Sequence, residues 1–132
     1  MAWQIPKTDW KSSDYFNFED YNRIKANLQY LRDLSIEVYP SFNLSDMGND
    51  KIEDDGIYAD EYNLFESNLE KLKACTYPFS TGTQKTYKAN NKTPDYAEHN
   101  RIESACLLMK NNIDGQIAGR PTLSFTLNGG IF

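Results

Sequence analysis

Apolar side chains recur along this chain at a spacing of three, four and three residues, and the pattern is written three times. Tyr21, Ile24, Leu28 and Leu31 form the first set, Tyr62, Phe65, Leu69 and Leu72 the second, and His99, Ile102, Cys106 and Met109 the third. With 3.6 residues per turn this spacing places each set along one stripe of an α-helix. An asparagine follows the first member every time (Asn22, Asn63, Asn100), and an acid precedes it (Asp20, Glu61, Glu98). A single amphipathic helix of this length is marginal in water, so the three stripes are expected to bury one another.

Polar punctuation sets the boundaries. The first helix is predicted over 17–39, with Asn17 as N-cap, Glu19 and Asp20 at the positive end of the dipole, and Tyr39-Pro40 as its stop. The second is predicted over 58–76, acidic at its start (Asp60, Glu61), basic near its end (Lys71, Lys73), and halted before Pro78. The third is predicted over 93–113, with Thr93 as N-cap, Pro94 in the first turn, and an end before Gly115. Between the second and third helices, Thr83, Lys85 and Tyr87 alternate weakly as in a strand. Beyond the third, Leu123, Phe125 and Leu127 alternate with Ser124 and Thr126 before Asn128-Gly129-Gly130 turns into Ile131-Phe132. Residues 1–16 carry Trp3, Trp10, Tyr15 and Phe16 without helical period and read as an extended aromatic arm. The reading is a mainly α single domain over 1–132: a three-helix packing unit with minor β strands near 77–91 and 121–132. Trp3, Trp10, Ile131 and Phe132 are its expected contact residues, because aromatic arms and apolar ends are expected to dock on the domain or on a partner.

Composition supports a globular chain and narrows the partners. The 132 residues suit one domain, and 9 Tyr, 7 Phe and 2 Trp supply large buried area despite a hydrophobic fraction of only 39%. A net charge of -5 disfavours a nucleic-acid partner, whose phosphates need clustered Lys and Arg. No run approaches a membrane span, and the first residues lack a secretion signal, so a product made in the cytoplasm with no membrane partner is expected. Cys75 and Cys106 are too few for a disulfide scaffold and are expected to be reduced core residues.

Candidate chemistry is sparse. The acids Asp46, Asp50, Glu53, Asp54 and Asp55 invite a calcium reading, but an EF-hand loop with Gly56 sixth would begin at Lys51 and end at Tyr62, so both acidic ligands fail. The sole histidine, His99, fills the stripe position of Tyr21 and Tyr62, and Cys106 lies two turns further along, too far for a nucleophile and its base. No phosphate-cradling glycine motif occurs. No catalytic residue, cofactor or metal is expected. Asn22, Asn63 and Asn100 are read as register determinants, bonding across helices or to neighbouring backbone at the rim of the core. Exposed aromatic rings leave a glycan-binding module as the alternative reading.

One resemblance goes beyond periodicity. The segments Trp3-Gln-Ile-Pro-Lys-Thr-Asp-Trp10 and Asp14-Tyr-Phe-Asn-Phe-Glu-Asp-Tyr-Asn-Arg-Ile24, the echo His99-Asn-Arg-Ile-Glu103 and the ending Gly129-Gly-Ile-Phe132 resemble small structural proteins encoded among the tail genes of phages and prophages of Gram-positive bacteria. The resemblance implies a virion component of the tail tip, baseplate or fibre region, assembled in the host cytoplasm. It implies work without a cofactor, through contacts with other tail proteins or further copies of itself. It covers both ends and the first and third helices, and leaves 40–92 without a counterpart.

Overall fold

The computed structural model describes residues 3–53, 55–77, 79, 81–82, 84–88 and 95–128, with 119–128 described as backbone only. It contains α1 (Phe18–Ser35), α2 (Ala59–Cys75) and α3 (Tyr96–Asn128), with no strand among the described residues. The mainly α class is therefore correct. Asn17 caps α1 as expected: its side chain accepts from Glu19 N and Asp20 N, while Asp20 accepts the Asn17 N–H in return. α1 ends at Ser35, with a tightened turn carrying the chain to Tyr39. The cap of α3 is Asp95, whose Oδ1 accepts from Ala97 N and Glu98 N; Thr93 and Pro94 lie outside the described residues.

Two strand expectations are corrected. Among the described residues of 77–91 the chain is irregular, because its backbone groups bond to helix side chains instead of a second strand. Residues 121–128, expected as strand, continue α3 through Gly115 and Pro121. A short alternation offers no ladder without a neighbour to pair with, whereas a helix already nucleated gains one bond for each residue added. Ile131 and Phe132 lie outside the described residues.

Every stripe residue named from the sequence is buried, from Tyr21 through Met109, and the stripes share one hydrophobic core. Burial also repeats at two further register positions, polar in every case but one. Counted from the asparagine, the third residue on (Lys25, Glu66, Glu103) and the fifth (Asn27, Asn68, Ala105) are buried in all three helices. α1 packs on both α2 and α3.

The intervening segments lie across the helices as straps. Asn27 accepts from Gln4 N at 2.9 Å and donates to Gln4 O at 2.8 Å, and Asn100 treats Trp10 likewise at 2.7 and 3.0 Å. In the second strap Asn68 clamps Ser45 at 2.8 and 3.0 Å, and Asn22 clamps Lys51 at 2.8 Å both ways. In the third, Asn63 clamps Tyr87 at 2.7 Å both ways, while Arg101 donates to Thr81 O in place of an amide, because the register position holds Ala105. Gln4 to Trp10, Ser45 to Lys51 and Thr81 to Tyr87 are the same six-residue step. Each strap is thus tied to its own helix and to the preceding one, and the first strap closes the circle by lying on α3. The molecule is a ring of three strap–helix units with internal pseudo-three-fold symmetry.

Candidate functional site

The N-caps Asn17, Tyr58 and Asp95 each precede their repeated asparagine by five residues, so the three helices start at one level. Their later portions also meet: Tyr39, beyond α1, bonds Gln116 of α3 at 3.0 Å and stacks on Tyr77, beyond α2. The helices therefore run parallel. At the end where they begin, all three units contribute to an open cleft of about 980 Å³.

Phe16, Tyr62 and His99 form the inner wall of this cleft. His99 stacks on Phe16 with ring centroids 4.2 Å apart and lies 5.1 Å from the Trp10 ring. Desolvation holds its imidazole below the ordinary value, outweighing the attraction of Glu103, Asp20, Asp95 and Glu98, so the ring is neutral at pH 7. His99 is 6% exposed and its Nε2 has no hydrogen-bond partner. Tyr21, at the same register, is instead satisfied by donating to Met47 O at 3.1 Å. Around the mouth stand Tyr15, 90% exposed, and Tyr96, 45% exposed, beside the exposed carboxylates of Asp14, Glu53, Asp55 and Asp95.

Two buried carboxylates lie below the cleft, and both are structural. Glu103 accepts from Arg23 Nε at 2.7 Å, Arg23 Nη2 at 2.8 Å, Trp10 Nε1 at 2.6 Å and Lys7 N at 3.1 Å. Glu66 repeats this set with Arg101, the Tyr87 hydroxyl at 3.0 Å and Lys85 N at 3.4 Å. In each case an arginine from the next helix, a strap amide and a strap aromatic converge on one acid. The third register position reverses the charge: Lys25 pairs with Asp50 at 2.6 Å. Both acids are engaged in holding straps to helices.

The contact residues expected from the sequence separate in the structure. Trp10 is 4% exposed, so of the two dockings expected of the arm it takes the one on its own domain and is not a surface contact residue. Trp3 is half-buried against Tyr30, with Lys110 Nζ 5.6 Å from its ring centroid. Cys106 is buried and its thiol is pushed up to about 12, whereas Cys75 is exposed, correcting its reading as a core residue. Among the described residues no grouping of three His, Cys, Asp or Glu side chains could hold a metal ion, and no helix is long and apolar enough to cross a membrane. Sequence reasoning missed Tyr15, Tyr96 and the role of Glu53 and Asp55; the signal was present in the constant five-residue offset from cap to asparagine, which brings the segments before all three helices together. Comparison with known proteins found no matching family, no matching curated protein and no matching solved structure.

Proposed function

We propose that this chain is a non-enzymatic assembly or host-contact part of a phage or prophage tail, working through protein–protein contacts with other tail proteins or further copies of itself. The resemblance at both ends of the sequence supports the setting. The observation that carries the reading is the open cleft, where exposed Tyr15 and Tyr96 stand on a scaffold whose straps are clamped in place. Rigid display of aromatic side chains is what a binding surface requires, since ordering costs are met before the partner arrives. The buried carboxylates Glu66 and Glu103 support it too, both being engaged in holding the fold. Binding of the tagged full chain to tail particles assembled without it tests the reading: co-sedimentation that Tyr15→Ala and Tyr96→Ala weaken is the expected result, and a chain that never associates with particles or isolated tail proteins overturns it.

A glycan-binding module is the second reading, favoured by the same two rings standing beside carboxylates that can accept sugar hydroxyls. A pull-down with purified cell-wall polymer separates the two.

A further inference from the structure

We propose that the axial cleft is the docking site for a partner-protein segment that presents a lysine or arginine next to an apolar side chain. The proposal rests on the assembly reading and names the chemistry of its partner. Charge comes first. Asp14, Glu53, Asp55 and Asp95 surround the mouth against Lys11, and Lys7 pairs with Asp14 at 3.6 Å, so the balance is still acidic and the local field attracts a cation and repels phosphate or an acidic polymer. Two of these carboxylates, Asp95 and Asp14, also accept backbone N–H groups.

The aromatic rim suits the same guest. Beside the cleft the molecule already shows how it holds an ammonium: Lys51 Nζ lies 4.9 Å from the Tyr21 ring centroid and 5.7 Å from that of Tyr58, while pairing with Glu61 at 2.7 Å. Tyr15 and Tyr96 offer the same combination of ring and neighbouring carboxylate at the mouth, with most of the Tyr15 ring face open to solvent. The inner wall adds aromatic surface. His99 Nε2 is buried without a partner, on a wall otherwise made of Phe16 and Tyr62. An apolar side chain of an inserted segment covers these rings. A cleft of about 980 Å³ that is open to solvent has room for a few residues of extended chain.

The test is an NMR titration of the isotope-labelled full chain with the peptide Ac-Leu-Arg-Leu-Arg-NH2, its citrulline counterpart, and a tetramer of N-acetylglucosamine. The expected result is saturable shifts confined to 11–18, 55–57, 95–96 and the His99 ring with the arginine peptide, weakened by about threefold or more with citrulline. Tyr15→Ala and Glu53→Gln, both exposed changes, are expected to weaken binding by about threefold each at unchanged thermal midpoint. Equal binding of the citrulline peptide, shifts mapping elsewhere, shifts with the saccharide alone, or no shifts at all would each overturn the proposal. If the chain still assembles with tail particles in any of those cases, the cleft assignment fails and the assembly reading survives.

Discussion

At the scale of single residues the molecule depends most on Glu103. Its carboxylate is 1% exposed and neutralises Arg23 while accepting the Trp10 indole N–H and a strap amide. Removing one partner of such a set strands the others without water, which costs more than the net value of the pair. Glu103→Ala is expected to lower unfolding stability by about 3–5 kcal/mol, and Glu103→Gln by roughly half of that, read from urea denaturation midpoints. His99 carries a pH dependence of definite sign. Its imidazole in the fold sits below the ordinary 6.5, so on acidification the unfolded chain takes up the proton first. Stability therefore rises with pH through this range: it is complete above about 6.5 and declines as pH falls towards the folded value. His99→Tyr, which restores the residue type of Tyr21 and Tyr62, is expected to flatten the change in midpoint between about pH 5 and 7, and an unchanged slope would assign it to the carboxylates instead. The thiols separate equally clearly. Cys75 is expected to react with a thiol reagent in the native state, and Cys106 only after unfolding.

The repeating element is a helix and the strap laid across it, and the asparagine amides join the two. Each amide matches the N–H and C=O of one residue in an extended chain, which fixes the strap's register as a neighbouring strand would. Asn22→Ala and Asn63→Ala are expected to cost about 1–3 kcal/mol each and to speed amide exchange at Lys51 and Tyr87 respectively, with the other straps unaffected. The clamps explain what could be read from the chain beforehand. Apolar stripes declare themselves by period, and Asn17 by its place before two acids, so the three helices and their core were legible, while the run of α3 through Gly115 and Pro121 to Asn128 was not. The buried positions at Lys25, Glu66 and Glu103, and at Asn27 and Asn68, were hidden because their residue types are ordinarily found in solvent; only the repetition of their register betrays them. Straps have no period of their own, since their partners are side chains at fixed points and not a ladder. For the same reason the alternation around Thr83 to Tyr87 suggested a strand where the structure has a clamped segment.

For the whole molecule, circular closure makes the N-terminal segment a structural member, not a free arm. Among the described residues the first strap is the only link through which unit one is tied to α3 by an amide clamp, and it also delivers Trp10 to the core and Lys7 N to Glu103. Deleting 1–12 removes the indole, opens one face of Phe16 and His99, and leaves Arg23 and Glu103 facing water. Loss of a buried tryptophan alone costs about 3–5 kcal/mol, comparable to the entire stability of a small domain. The truncated chain is therefore expected to lose its cooperative thermal transition by far-UV circular dichroism. The ring geometry adds a sharper expectation: the truncated chain retains every clamp residue, so a peptide of residues 1–16 supplied in trans can bind Asn27 and Asn100 as the chain refolds and is expected to restore the transition. A peptide carrying Trp10→Ala is expected to fail. Rescue by that variant, or full stability of the truncated chain without any peptide, would show that the ring does not need its first strap and that the pseudo-three-fold closure contributes nothing to the fold.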